Sequence, residues 1–213
     1  MITSRATLAG DPDDDARLVR FATRVAAAGV DALQVRERDW PDGRLFAVTA
    51  EIVCALHGSG CRVLVNERAH VAWAAGADGV HLRADGMAAS RWRAVAPSGF
   101  LIGRSLHMGA VPSDTADVDL VVFGSVYRSA SKRSGSPVAG PAALARLARQ
   151  PGMPPVLAVG GLTPARCVEV RRAGARGMAA IGVFAAADAA GADALAQTVR
   201  DIHAVFGDLE RSQ

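Results

Sequence analysis

The sequence predicts an α/β fold with a parallel sheet, most simply a (β/α)8 TIM barrel in which residues 1–213 form one domain with a short first strand. Short apolar runs rich in valine, leucine and isoleucine alternate with stretches of helical period, the pattern of parallel βαβ units. Glycine follows several of these runs where a strand hands over to its helix. Hydrophobic residues make up 50% and aromatics 5%, which suits a core of small and branched side chains. A flavodoxin-like open sheet would need only about five or six such units. This chain offers more.

Taken in order, Ile2, Thr3 and Ser4 read as the end of the first strand. Residues 13–28 follow as a helix closed by Gly29, then a strand over 31–36 and a helix over 42–56. A buried strand is expected at 62–65, a helix at 69–75 capped by Gly76, and a strand at 79–82. Helix 88–96, strand 100–103, a short helix near 110–116 and strand 120–123 continue the alternation, and a long polar loop covers 124–140. After helix 141–150 comes the most informative stretch. Strand 156–159 runs into Gly160-Gly161; Thr163 is placed as N-cap with Pro164 at the first helical position; Gly174 ends that helix; strand 178–181 runs into Gly182. A final helix covers about 193–206.

Glycine lets backbone N–H groups approach a ligand closely, and a helix N-terminus adds positive potential. In (β/α)8 barrels a phosphate site commonly follows the seventh and eighth strands. Gly160, Gly161, Ile181 and Gly182 are therefore candidate phosphate-binding positions, against the plainer reading that glycine only permits tight turns. The charge balance of 24 basic to 21 acidic residues gives +3 and no basic run, which argues against a nucleic-acid partner. No apolar run of about 18 residues predicts a membrane span, and the N-terminus lacks the order of a signal peptide. Cys54, Cys61 and Cys167 form no CxxC pair, so reduced thiols in a cytoplasmic protein are expected.

The predicted strand ends are polar. Alternation along 31–38 aims Gln34, Arg36 and Arg38 inward and Val35 and Glu37 outward. Two inward arginines are costly to bury without an anion, so an anionic small molecule is the natural partner. Asn66, Glu67 and Arg68 end the next strand, His81 the one after, and Arg104, Ser105 and His107 follow the strand at 100–103. The loop beyond strand 120–123 brings Ser129, Ser131 and Lys132. His81 reads as a packing or hydrogen-bonding residue, and Arg104 as either lining the mouth or pairing outside it. His57, His70 and His203 read as solvated helix residues, and Trp40, Trp73 and Trp92 as packing between helices or at a subunit contact.

The ordered set QVRER, LVNERAHVAWAAGADGVHL, IGRSLH, VVFGSVYRSASK and PVLAVGGLTPARCVEVRRAGARGMAAIGVF resembles the thiamine phosphate synthase and TenI superfamily over about residues 32–184. The resemblance implies a (β/α)8 barrel and one of two activities. A synthase joins a pyrimidine pyrophosphate to a thiazole phosphate with Mg²⁺ and releases pyrophosphate. A TenI-like tautomerase aromatises a thiazole carboxylate phosphate by moving a proton, without metal. The resemblance puts Gln34, Arg36, Arg38, Asn66, Ser129, Ser131, Lys132, Gly160, Gly161, Ile181 and Gly182 at substrate and phosphate.

Departures from the synthase pattern cluster at its metal ligands. Glu67 stands where the pattern has Asp, and Gly86 stands at the second metal aspartate, with Asp85 one residue off and Arg83 nearby. A lengthened and a missing carboxylate make a poor Mg²⁺ site, so Glu67 and Asp85 are metal candidates only on the synthase reading. RER and GRSLH resemble the TenI forms, which makes His107 the proton carrier, with Ser105 orienting either it or the substrate. The expectation is therefore a thiazole tautomerase, an isomerase with no cofactor. Thiamine phosphate synthase, a transferase, is the alternative, and a non-catalytic ligand-binding or regulatory barrel a third. A homo-oligomer is left open.

Overall fold

A computed structural model describes residues 1–11, 13–110, 115–129 and 137–207. Seven parallel strands follow chain order in the sheet, and the fold is of the (β/α)8 barrel class. The chain divides into two compact units: Met1–His81 with Ala96–Leu101 and Ile181–Arg200, and Leu82–Val95 with Ile102–Ala180 and Asp201–Gln213.

In the first unit β1 (Ala32–Val35), β2 (Arg62–Asn66) and β3 (Gly79–Leu82) pair in parallel, with Val35 opposite Val65 and Val65 opposite Val80. All three valines are fully buried. The expected first strand is reduced to a bridge between Ile2 and Gln34. The Thr3 N–H donates to the Gln34 carbonyl, and the Gln34 N–H to that of Met1, both at 2.9 Å. A turn of 3-10 helix at Arg5–Thr7 follows.

Helix α1 (Asp15–Ala27) begins at Asp14, whose carboxylate accepts from the Arg17 N–H at 3.3 Å. It buries Leu18, Phe21, Ala22 and Val25, the i, i+3, i+4, i+7 stripe that makes a helix amphipathic. Helix α2 (Asp42–Ala55) buries Leu45, Val48 and Ile52 in the same way, and α1 packs on it. The unit also holds the short α3 (Ala69–Ala74) and, from the C-terminal part of the chain, α7 (Gly182–Ala189) and most of α8 (Ala192–Phe206). Arg24 grips Asp188 with two bonds of 2.6 and 2.8 Å, joining α1 to α7. The sequence reading had missed α7.

β4 (Leu101–Leu106) enters beside β3, its Leu101 N–H donating to the Asp78 carbonyl at 2.9 Å. Gly79 is required there, because a Cβ would lie 2.3 Å from the Leu101 carbonyl oxygen. In the second unit β4, β5 (Leu120–Gly124), β6 (Val156–Val159) and β7 (Gly177–Ala179) pair in parallel; α4 (Ala89–Arg93) precedes β4, α5 (Gly140–Ala148) joins β5 to β6 and α6 (Pro164–Arg172) joins β6 to β7. Asp78 and Asp119 play matching parts before β3 and β5. Each carboxylate accepts a strand N–H at 2.7 Å, from Val63 and Ile102, and holds an arginine, Arg62 and Arg93.

Most boundaries fall within a few residues of expectation; two shifts matter. β1 ends at Val35 rather than Arg36, and β4 runs on to Leu106 rather than ending at Gly103. The expected helix near 110–116 lies partly outside the described residues, and so do Ser131 and Lys132.

Candidate functional site

In the first unit the strand ends form a connected polar group. Gln34 is buried and its Nε2 donates to Asn66 Oδ1 at 3.0 Å, while Asn66 Nδ2 donates to Glu67 Oε2 at 3.1 Å. Glu67 turns the chain with φ at 64°, its N–H donating to the His81 carbonyl at 2.9 Å. A non-glycine residue held in the left-handed region costs on the order of 1–2 kcal/mol and often marks a working loop.

The strand stops at Val35, so alternation no longer sets which way Glu37 and Arg38 face. Arg38 lies in a turn and is exposed. Glu37 is buried: it accepts from Thr3 Oγ1 at 2.8 Å and from the Arg5 N–H at 3.1 Å, tying the N-terminal segment to the end of β1. Burial raises its pKa against those hydrogen bonds. Arg36 is half-buried, and its guanidinium makes no hydrogen bond or ion pair among the described residues. Burial, followed by the charge of Arg38, lowers its pKa, and Glu37 and Glu67 oppose that. His81 is 5% exposed, and burial with the nearby Arg36 charge pushes its imidazole down to about 4. It is a neutral core side chain, as the packing reading expected.

The turn that carries Arg38 is clamped by Arg68, which the sequence marks only as a strand end. Arg68 donates from Nη1 to the Trp40 carbonyl at 2.6 Å and from Nη2 to the Arg38 carbonyl at 2.9 Å, and its Nε lies 3.3 Å from Asp42. Arg5 holds Asp39 in the same turn at 3.0 and 2.6 Å. Trp40, 3% exposed, lies against the guanidinium groups of Arg5 and Arg44, at 5.6 and 4.6 Å from its ring. Arg68→Ala is expected to release this turn, read as tryptic cleavage after Arg38 about tenfold faster than in wild type, with Arg68→Lys recovering only part of the loss. Equal cleavage rates in the three proteins would refute it.

Also in this unit, Ile181 precedes α7 as its N-cap and Gly182 is the first helical residue. A Cβ on Gly182 would meet nothing within 4 Å, so packing does not demand glycine there.

In the second unit the Gly160-Gly161 turn has a steric explanation of its own. Both residues have positive φ, 98° and 62°, and a Cβ would come within 2.6 Å of Ser125 at Gly160 and 2.3 Å of the Arg128 carbonyl at Gly161. The segment after β5 lies on this turn: the Val126 N–H donates to the Val159 carbonyl at 2.8 Å and the Tyr127 N–H to that of Gly160 at 3.0 Å. Arg166 stacks on the Tyr127 ring at 4.5 Å, and Tyr127 donates to Glu169 at 2.5 Å; burial and that bond push the phenol up to about 12. Ser129, the last described residue before the loop, is half-buried. Thr163 and Pro164 open α6 as expected, but the Thr163 side chain makes no capping bond.

Ser105 lies within β4 and is half-buried, and His107 is exposed just beyond it. His107 Nδ1 is 2.8 Å from the Gly124 carbonyl oxygen, which only accepts, so Nδ1 is the donor of that bond. Arg104, left open between two placements, is buried. Its Nη1 donates to the Met87 carbonyl at 3.1 Å and its Nη2 to those of Ala84 and Gly86 at 3.1 and 3.0 Å.

The residues present do not fit a Mg²⁺ site. Asp85 is held at both oxygens by Arg83, at 2.9 and 2.7 Å, with its pKa lowered by that pairing. Gly86 offers no side chain, and Glu67 is engaged with Asn66. Among the described residues no three His, Cys, Asp or Glu side chains come together as a metal cluster.

Parallel strands in chain order, with helices between them, define a protein of the (β/α)8-barrel class. Within that class the chain belongs to the thiamine monophosphate synthase family, whose model matches residues 6–184. It is 36% identical over 163 residues to a thiamine-phosphate synthase of Methanoculleus marisnigri, covering 76% of this chain and 77% of that one. It is 37% identical over 187 residues to a thiamine-phosphate synthase of Salinispora arenicola, covering 85% and 88%. Among solved structures it is similar to a thiamine phosphate pyrophosphorylase from Pyrococcus furiosus, with a TM-score of 0.76 at 22% identity over 98% and 94% of the chains.

These findings overturn the expectation of a tautomerase. The relatives carry synthase names, which points to a transferase and not an isomerase. The misjudgement came from weighing the altered carboxylates as a sign of branch. The proton-carrying role given to His107, with Ser105 orienting it or the substrate, was tied to isomerisation and loses its premise. No helix among the described residues is long and apolar enough to cross a membrane.

Proposed function

We propose that the chain is a thiamine-phosphate synthase, joining a thiazole phosphate to a pyrimidine pyrophosphate and releasing pyrophosphate. The observation that carries this reading is the shared name of relatives identical at more than a third of positions over three quarters or more of the chain. The site chemistry supports it. Displacement at the carbon bearing pyrophosphate leaves growing negative charge on the departing group, and fixed cations lower the cost of that charge. Arg36 is a half-buried guanidinium with its donors uncommitted, and Arg38 stands exposed beside it.

On this reading Arg36 and Arg38 take the pyrophosphate. Gln34 and Asn66, fixed by their mutual bond, face the pyrimidine substrate with side-chain amides. In the first unit the backbone N–H groups of Ile181 and Gly182 at the start of α7 are assigned to phosphate; in the second, Gly160 and Gly161 after β6 carry the same assignment by themselves, with Ser129, Ser131 and Lys132. The test is incubation of the purified protein with both precursors over a range of magnesium concentrations, following thiamine phosphate by chromatography. Stoichiometric release of pyrophosphate with product is expected. No product at any metal concentration, with both precursors intact, would remove the reading.

A further inference from the structure

The loop joining β3 to α4 is built around a guanidinium. Arg104 shares a face of β4 with Ile102 and Leu106, and all three are buried. Its two terminal nitrogens donate to the carbonyl oxygens of Ala84, Gly86 and Met87, all within 3.1 Å, while its Nε has no partner among the described residues. Several backbone oxygens of one short loop turned toward one positive centre is how a loop surrounds a hard cation. Here the cation is a side chain. Arg83 takes the loop's own carboxylate, Asp85, with two bonds, and the loop closes on itself through the Gly86 N–H, which donates to the Arg83 carbonyl at 3.2 Å. A Cβ at Gly86 would sit 3.2 Å from that same carbonyl oxygen, so the loop has little room for a side chain there.

We propose that Arg104 is the built-in cation of the loop 83–87, and that this loop does not bind a divalent metal. A guanidinium stays charged across the accessible pH range and needs its donors satisfied when buried. Mg²⁺ needs about six oxygens at roughly 2.1 Å, and carbonyls committed to Arg104 cannot also supply them. The family's use of Mg²⁺ therefore finds no counterpart in this loop. This holds whether or not the chain performs the coupling proposed above, since none of it rests on the reaction.

Mn²⁺ is the probe, read by loss of its free-ion paramagnetic resonance signal. Wild type is expected to leave that signal undiminished to about 1 mM, and one-site binding tighter than roughly 100 µM would overturn the proposal. Tryptic cleavage after Arg83, in the native protein, reads the loop itself. Arg104→Met is expected to be cut about tenfold faster there, and Asp85→Asn, which breaks only the exposed pair with Arg83, within about twofold of wild type. Added MgCl2 is expected to change none of these rates. Cleavage slowed by MgCl2 in wild type, or a folded Arg104→Met cut no faster than wild type, would show that the loop is held by something else. If Arg104→Met does not fold, Arg104→Lys is used with the same expectation, and the wild-type Mn²⁺ titration decides independently.

Discussion

Arg36→Met is expected to lower kcat/KM for thiamine phosphate formation by about 100-fold or more, close to 3 kcal/mol of transition-state stabilisation. A charge-assisted hydrogen bond to an oxyanion is worth about 1.5–3 kcal/mol, and a guanidinium donates two to one phosphate. Arg36 is suited to this because its group is half-buried and its donors are uncommitted among the described residues. Arg36→Lys is expected to restore little, since a point charge on a flexible stem does not reproduce a planar fork. Stability separates this role from a structural one. Burial and the neighbouring Arg38 already disfavour the charge of Arg36 in the folded chain, so methionine is expected to leave the urea unfolding midpoint unchanged or slightly higher. Activity lost together with stability would mean that Arg36 holds the strand end together instead. Full activity would move pyrophosphate elsewhere.

The parts of the fold visible in the sequence are those set by local pattern. Strand 79–82 appears at Gly79–Leu82 and strand 156–159 at Val156–Val159, because short, mostly apolar runs set off by glycine or proline leave little choice. The strand ends are where the reading slipped. Alternation was carried past Val35 through Arg38, but the ladder stops where Thr3 and Arg5 capture Glu37, a contact across more than thirty residues that no local pattern signals. In the opposite direction, β4 runs past the expected end at Gly103 and takes in an arginine, which no apolar pattern signals. There the terminal nitrogens of Arg104 donate to three carbonyls of a distant loop, while its Nε has no partner among the described residues. Helix α7 was missed since Gly182 was read as a turn, although the alanines after it are good helix formers. The Gly160-Gly161 pair was legible as a required turn, but part of the requirement is packing against Ser125 and Arg128, not the approach of a ligand. The activity was misjudged for another reason: carboxylates missing from a loop say what the loop cannot hold, and do not name the reaction.

His81 sets the second large effect, on stability as a function of pH. The imidazole is buried, and its pKa in the folded chain is about 4, against 6.5 for an unhindered histidine. Above pH 6.5 both folded and unfolded chains hold it neutral, and the residue contributes no pH dependence. As pH falls below 6.5 the unfolded chain takes up a proton that the folded chain refuses until about 4. Stability is therefore lost across that window, by up to about 3 kcal/mol. Glu37 acts in the opposite sense, since its raised pKa lets the folded chain bind a proton more readily than the unfolded one. A comparison at a single residue removes that contribution. In His81→Gln the proton acceptor is gone and Glu37 is unchanged. The difference in unfolding free energy between the two proteins is thus expected to move in favour of the variant by about 3 kcal/mol between pH 7.5 and 4. Urea titrations at half-unit intervals measure it. Two curves that stay parallel through the window would mean that His81 accepts its proton in place, with Arg36 moving away from it as it does.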